Sequence, residues 1–91
     1  MTRPAVAFVY ILRCRDGSLY TGAARDLGLR LRQHQRGRAS RYTRARLPVV
    51  LAWSRKLASW SEALRAECRI KRLRRGEKEA LLAGDGASFG P

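Results

Sequence analysis

The stretch VAFVYILRC, residues 6–14, is apolar at both odd and even positions. A strand with one face in water alternates apolar and polar residues, so this pattern predicts a central strand that is covered on both faces. The next four residues, RDGS, are typical of a turn, and residues 19–22 then read as a second, short strand. The sequence therefore predicts a β-hairpin near the N-terminus.

The rest of the chain contains both helix and strand signals. Asp26 can cap a helix, Ser59 and Glu62 form a capping-box pattern, and Gly37 and Gly76 are expected to end the two longer helices. The predicted elements are, in order, strands at 6–14 and 19–22, a helix at 26–36, a strand at 49–53, and helices at 59–75 and 77–82. This order, β-β-α-β-α-α, indicates an α/β fold with a small three-stranded, mainly antiparallel sheet flanked by helices. We expect one domain over residues 1–82 and a disordered end at 83–91.

The charge balance is strongly one-sided. Of 91 residues, 20 are Lys or Arg and 7 are Asp or Glu, which gives a formal net charge of +13. Such an excess indicates a polyanionic partner, and we favour nucleic acid over an anionic membrane surface. The uncharged stretch at residues 4–12 is too short to span a bilayer. We expect a cytoplasmic protein whose two cysteines stay reduced.

Arginine is concentrated in residues 36–46, RGRASRYTRAR, which we call the basic segment and predict to be a loop. Guanidinium groups bind phosphates, and an interleaved tyrosine can stack on an unpaired base. A merely solubilising surface is the alternative, but nearly all of the charge has one sign. The residues predicted to contact nucleic acid are Arg36, Arg38, Arg41, Tyr42, Arg44 and Arg46.

Two tyrosines lie on the predicted hairpin, and its turn decides whether they share a face. A two-residue loop would pair Arg13 with Tyr20 and separate the tyrosines. A three-residue loop, with Gly17 left-handed, pairs Tyr10 with Gly22 and brings the tyrosines together. We expect this second register, in which Gly22 would leave open space over the backbone for a substrate.

A carboxylate interrupts the apolar side of the long helix. At 100° per residue, Glu67 falls near the centre of an apolar arc formed by Trp60, Ala63, Leu64, Ile70 and Leu73. A carboxylate in that position must be paired, bind a metal or face a cleft. The simpler interpretation is an ion pair with Lys71, one turn further on.

The first helix has the same character. Arg30 and His34 are one turn apart, beside a stripe formed by Leu27 and Leu31. An inward-facing arginine binds an anion, which is either a substrate phosphate or the carboxylate of Asp26 or Glu67. His34 is either a hydrogen-bonded core residue or a catalytic group.

Together these residues resemble a known signature. The tripeptides FVY at 8–10 and YTG at 20–22, with an arginine, a histidine and a later helical glutamate, resemble the GIY-YIG nuclease superfamily. The resemblance covers roughly residues 5–82 and is to the short stand-alone bacterial members. Phe8 replaces the glycine of the first motif, and Thr21 fills the middle position of the second.

The resemblance implies metal-dependent hydrolysis of phosphodiester bonds. Tyr10 and Tyr20 would line the site, and one of them would help to deprotonate the attacking water. Arg30 would neutralise the scissile phosphate, and His34 would transfer a proton or position water. Glu67 would hold one Mg²⁺ or Mn²⁺ ion, which needs few protein ligands because it keeps most of its waters. We expect a nearby cation to lower the pKa of the catalytic tyrosine.

We therefore expect a divalent-metal-dependent endonuclease that acts on DNA with structure or strand selectivity, consistent with DNA repair or recombination. Single-stranded and branched DNA are candidate substrates, and a monomer is the simplest assembly. The alternative is a non-catalytic nucleic-acid-binding module that retains the nuclease fold. Glu67 discriminates between them, because a binding module has no need for a carboxylate within an apolar arc.

Overall fold

The computed structural model describes residues 6–84. Its sheet has the strand order β2-β1-β3, with both neighbours antiparallel to β1. The strands are β1 (Ala7–Arg13), β2 (Leu19–Ala24) and β3 (Val50–Leu57), and the helices are α1 (Leu27–Gln35), α2 (Arg41–Arg44), α3 (Trp60–Lys71) and α4 (Arg75–Leu82). The predicted α/β class and central first strand are confirmed. Of the tail predicted at 83–91, residues 85–91 lie outside the described part.

The sheet is covered on both sides. One side, the apolar face, packs on α3 and α4 through Val9, Ile11, Ala66, Ile70 and Leu81. The other side, the tyrosine face, packs on α1 through a cluster that includes Tyr10, Leu12, Cys14, Ala24 and Val49. Successive side chains of a strand point to opposite faces. The continuous apolarity of residues 6–14 therefore serves two separate cores.

The hairpin has the predicted three-residue register. Gly17 adopts a left-handed conformation with φ of 85°, which residues with a Cβ adopt rarely. Tyr10 then pairs with Gly22, and Leu12 pairs with Tyr20. Both tyrosines lie on the tyrosine face as a result.

The basic segment is partly helical, which corrects the predicted loop. Ser40 caps the one-turn helix α2 because its hydroxyl accepts the backbone N–H groups of Tyr42 and Thr43. The surrounding arginines concealed this start signal, since a serine between charged residues is equally common in loops.

The later helices also differ from the prediction. Helix α3 ends at Lys71 instead of Arg75, and Gly76 lies within α4 instead of breaking a helix. The carboxylate of Glu77 accepts the backbone N–H of Arg74 at 2.8 Å, and this capping contact outweighs the low helix propensity of Gly76. Within α3 the buried residues are Ala63, Ala66 and Ile70, whereas Leu64, which we placed on the apolar arc, is 43% exposed.

Strand β3 runs past the predicted end at residue 53, because residues 54–57 continue to pair with β1. It is an edge strand, so its outward side chains can be polar without disturbing the core. Within residues 6–84, every helix falls short of the length and apolarity that a membrane crossing requires.

The first and last described elements are joined beside the hairpin turn. Glu79 on α4 accepts hydrogen bonds from Arg13 of β1 at 2.9 and 3.3 Å and from Arg75 at 3.0 and 3.2 Å. Arg75 also donates to the backbone carbonyl of Gly17, in the turn, at 2.8 Å. We call these contacts the Glu79 clamp. The hydrogen bond from Arg13 holds the pKa of Glu79 below its usual range.

Candidate active site

Tyr10 lies across Gly22 of the neighbouring strand. A Cβ atom at Gly22 would be 2.5 Å from the Tyr10 hydroxyl oxygen, so only glycine fits beneath this ring. The open space that we expected above Gly22 is therefore occupied by Tyr10 itself. Because β2 is an edge strand, the ring carries the hydroxyl toward the edge of the sheet, where α1 begins.

His34 lies at the centre of the site and is fully buried. Its Nε2 is 2.8 Å from the Tyr10 hydroxyl oxygen, and its Nδ1 is 2.8 Å from Thr43 Oγ1. The rings of Tyr10 and Tyr20 both meet the imidazole edge to face, with centroids 5.7 and 5.3 Å away. The histidine is thus a hydrogen-bonded core residue, and one of its partners is a tyrosine of the predicted site.

Helix α2 brings the basic segment against this cluster. The ring of Tyr42 stacks on Tyr20 with a centroid separation of 6.0 Å and an interplanar angle of 25°. The Arg46 guanidinium lies 3.8 Å from the centre of the Tyr42 ring and pairs with Asp16 at 3.0 Å. A base that stacked on Tyr42, as the sequence suggested, would therefore compete with contacts that the ring already makes.

The remaining basic residues of the segment are exposed to solvent. Three of them, Arg38, Arg41 and Arg44, line a surface cavity of about 390 Å³ together with Gly37, Ala39 and Ser40. Arg36 is exposed at the C-terminal cap of α1. The arginines predicted to bind nucleic acid are therefore accessible, with Arg46 as the partly buried exception.

Arg30 projects from α1 and has no acidic partner. Its Nε donates to the Gln33 side chain at 3.2 Å and its Nη1 to the Ala23 carbonyl at 3.4 Å. Among residues 6–84, no ion pair joins it to Asp26 or Glu67, the carboxylates that we considered. It lines a cavity of about 380 Å³ with Ala24, Arg25, Asp26, Leu29, Gln33 and Trp60. An unneutralised guanidinium beside a cavity can bind an anion.

Glu67 lies on α3, close enough for its charge to act on Tyr10. Lys71 Nζ lies 3.0 Å from its carboxylate, so the simpler interpretation of this residue is confirmed. The Glu67 side chain is only 20% exposed, however, and its charge acts on Tyr10. The Lys71 side chain is 55% exposed and can move away into water, which leaves the carboxylate available to a cation.

The electrostatic environment keeps Tyr10 protonated. Burial raises the pKa of Tyr10 to about 12, and the charges of Tyr20 and Glu67 act in the same direction. The hydrogen bond and charge of Arg30 lower this pKa but do not compensate for burial. The lowering by Arg30 that we expected is therefore present but is outweighed by burial, and the lowering by a bound cation stays a prediction. Burial, with the charge of Arg30, lowers the pKa of His34 to about 4, so the imidazole is neutral at pH 7.

The donor atoms fit a hard cation that retains water ligands. In the described part of the chain, no group of three or more His, Cys, Asp or Glu residues could hold a metal ion. Thr21 Oγ1 is buried and has no hydrogen-bond partner, and Thr21 pairs with Ile11, whose side chain packs on α3. The single carboxylate of Glu67 suits a magnesium-like ion, which keeps most of its water ligands. Cys14 is buried and Cys68 is exposed, and the two form no disulfide with each other.

Sequence reasoning missed Thr43. This residue is fully buried among arginines and contacts His34 nine positions earlier. The available signal was Ser40, because a helix cap three residues before Thr43 turns that side chain inward while its charged neighbours face water.

The hairpin with paired tyrosines, followed by an arginine helix and a glutamate helix, defines a class of small α/β catalytic domains. The family profile described as the GIY-YIG catalytic domain matches residues 6–80, and the chain belongs to this family of the GIY-YIG nuclease superfamily. The predicted resemblance is confirmed.

Similar proteins agree with this assignment. The chain is 47% identical over 77 residues to a UPF0213 protein of Streptococcus pneumoniae, and the matched region covers 85% of this chain and 78% of the relative. It is 49% identical over 78 residues to a UPF0213 protein of Nitratidesulfovibrio vulgaris, and the matched region covers 86% of this chain and 71% of that relative. The solution NMR structure of the UPF0213 protein of Bacillus halodurans is similar with a TM-score of 0.57 and 40% identity, over 94% of this chain and 88% of that one.

Proposed function

We propose that the protein is a divalent-metal-dependent endonuclease that hydrolyses phosphodiester bonds in DNA. The observation that carries this proposal is the buried hydrogen bond between Tyr10 and His34, 2.8 Å long, beside an arginine without an acidic partner. Hydrolysis of a charged ester needs groups that transfer protons and a cation that binds the negative charge, and these residues can provide both.

Arg30 supplies positive charge on one side of the phosphate. It lines the cavity of about 380 Å³, which has room for a phosphate and part of the adjoining sugar. Negative charge develops on the phosphoryl oxygens during attack, and a fixed guanidinium stabilises that charge more than it stabilises the ground state.

Glu67 would hold the metal ion. A bound divalent cation would polarise the phosphate and stabilise the developing charge opposite Arg30. The low exposure of Glu67 keeps its carboxylate fixed and poorly hydrated, so that an ion gains more from it than from a surface carboxylate.

Tyr10 and His34 would manage the protons. The attacking water gives a proton to the Tyr10 oxygen as the Tyr10 proton passes to His34 Nε2. The water oxygen then bonds to phosphorus, the bond to the leaving sugar oxygen breaks, and that oxygen takes a proton from solvent. His34 returns its proton to solvent through Tyr10, which restores the starting forms. Protonated Tyr10 and neutral His34 are the starting forms that this transfer needs. Tyr20 would line the site and keep the imidazole in place by its edge-to-face contact.

The basic segment would guide DNA to these groups. Helix α2 lies against Tyr20 and His34, so a strand bound by Arg41 and Arg44 passes next to the site. A single active site acting as a monomer would nick one strand, which favours single-stranded or branched substrates over duplex. A cytoplasmic role in DNA repair or recombination fits such a substrate.

Cleavage of labelled single-stranded, duplex and branched DNA, with Mg²⁺ or EDTA, tests the proposal. We expect metal-dependent cleavage that falls by about 10²-fold or more in Glu67→Gln and Arg30→Lys, with DNA binding nearly unchanged. Matched controls on the same helices are Glu62→Gln, which retains an oxygen to cap α3, and the exposed Arg32→Lys. Pure wild-type protein that binds DNA but cleaves none of these substrates would instead identify a binding module.

A further inference from the structure

His34 lies in the middle of a hydrogen-bonded series that runs from Tyr10 through the imidazole to Thr43. At one end the positive charge of Arg30 acts on Tyr10. At the other end the Thr43 hydroxyl donates to the backbone carbonyl of Ser40 at 3.3 Å, and that carbonyl can only accept. Tyr10, His34 and Thr43 are all completely buried, so in the absence of substrate each depends on these partners for its hydrogen bonds.

The Ser40 carbonyl selects one direction for the protons of this series. Because the Thr43 hydroxyl donates to Ser40, its oxygen is the acceptor for His34 Nδ1. A neutral imidazole carries one proton, which then sits on Nδ1, so Nε2 is unprotonated and accepts the Tyr10 proton. In the opposite direction the buried Tyr10 proton would lose His34 as its acceptor, and the Thr43 hydroxyl would no longer donate to Ser40. A buried donor without a partner is unfavourable, which decides against that arrangement.

We propose that Thr43 is a positioning residue, whose hydroxyl holds His34 in the Nδ1-protonated tautomer and so keeps Nε2 ready to accept the Tyr10 proton. The effect of Thr43 on catalysis rests on the nuclease function proposed above, whereas its effect on the tautomer of His34 does not. Thr43 acts on Tyr10 only through the imidazole and touches no reacting atom.

The same helical turn also belongs to the basic segment. Arg41 and Arg44 flank Thr43 on α2 and face solvent, while Thr43 faces His34. Ser40 caps this turn and also provides the carbonyl that orients the Thr43 hydroxyl. The segment that would bind DNA therefore contains the residue that sets the proton of the imidazole.

Nitrogen NMR of the imidazole tests the tautomer directly, and His34 is the single histidine of the chain, so its signals need no assignment. In the wild type at pH 7.5 we expect a protonated Nδ1 and an unprotonated Nε2. Thr43→Ser retains a hydroxyl and should give the same spectrum, while Thr43→Val, similar in shape, should shift population to the Nε2-protonated form. If Thr43→Val unfolds, Thr43→Ala removes the hydroxyl without strain from added bulk.

Two results would overturn the proposal: an Nε2-protonated imidazole in the wild type, or an unchanged Nδ1-protonated population without the Thr43 hydroxyl. Neither measurement uses a substrate, so both results are independent of whether the protein is a nuclease. In cleavage assays we expect Thr43→Val to lower kcat by about 10²-fold with KM for DNA unchanged, and Thr43→Ser to restore most of it. Full kcat in a Thr43→Val protein that has changed tautomer would show that positioning is not its role.

Discussion

The two faces of the sheet share one central strand but differ in what they bury. The apolar face packs hydrocarbon side chains of β1 against α3 and α4. The tyrosine face buries a hydroxyl, an imidazole and a second hydroxyl, which satisfy one another in a chain. Buried polar groups are tolerated only when hydrogen-bonded, and then they fix geometry tightly. We infer that the apolar face supplies most of the stability and the tyrosine face holds the chemistry.

The variant Ile70→Ala should show the largest difference between the two faces, because it should lower stability without lowering cleavage activity. Ile70 is fully buried on the apolar face, and truncation leaves a cavity there, so we expect a loss of about 3 kcal/mol in unfolding free energy. Cleavage per folded molecule should stay the same. Leu64→Ala on the same helix, at a site that is 43% exposed, is the control and should cost under about 1 kcal/mol in urea titrations. Equal losses in the two variants would refute the assigned core.

The pH dependence of stability isolates the tyrosine face. Burial lowers the pKa of His34 from 6.5 to about 4, so between these values the unfolded chain binds a proton that the native state lacks. Stability from this residue is complete above pH 6.5 and declines as pH falls to about 4, by about 3 kcal/mol in total. Urea midpoints at pH 7.5 and 4.5 measure it. A His34→Gln variant should lose less stability over that interval, and an identical loss would contradict neutral burial.

Gly22→Ala should disturb the tyrosine face alone. The added Cβ would lie 2.5 Å from the Tyr10 hydroxyl oxygen, so the ring must move and lengthen its hydrogen bond to His34. We expect a loss of roughly 1–3 kcal/mol in stability together with a marked loss of cleavage. Gly76→Ala is the matched control, since nothing lies within 4 Å of its added Cβ and it sits inside α4. Thermal unfolding and cleavage assays that rank these variants the other way would disprove the close contact.

The smallest effect is expected at Lys71, which pairs with Glu67 on α3. Lys71→Met removes the ammonium that lies 3.0 Å from this carboxylate. A pair one turn apart on a helix, with its lysine in water, contributes only about 0.3–0.5 kcal/mol, so half-maximal cleavage should need about twofold less Mg²⁺. A titration of cleavage rate against Mg²⁺ concentration measures the shift, with Lys78→Met as the control. An increased Mg²⁺ requirement in Lys71→Met would mean that Lys71 assists the metal site.

Local patterns predicted the sheet well, because each of its signals lies within a few residues. The apolar run of β1 and the left-handed Gly17 together determined which residues face each other across the hairpin. The pairing of Glu67 with Lys71 followed from helical spacing in the same way. The arginine and histidine of α1 were placed correctly on one side, but their partners were not identified.

Long-range contacts could not be predicted from those patterns. Tyr10 meets His34 across 24 residues of sequence, and its high pKa follows from burial that only the assembled fold creates. Sequence reasoning counted the charge of Arg30 but not the loss of water around the phenol, and the second effect is larger. Thr43 was missed because its role depends on how α2 docks against α1.

The Glu79 clamp has a consequence for the order of folding. The carbonyl of Gly17 in the hairpin turn accepts a hydrogen bond from Arg75, 58 residues later in the sequence. Arg13 pairs with the carboxylate of Glu79, 66 residues later. Closing such long loops is entropically unfavourable until the intervening sheet has formed. During synthesis the hairpin is therefore made before its partners Arg75 and Glu79, and these contacts form only once α4 has been added.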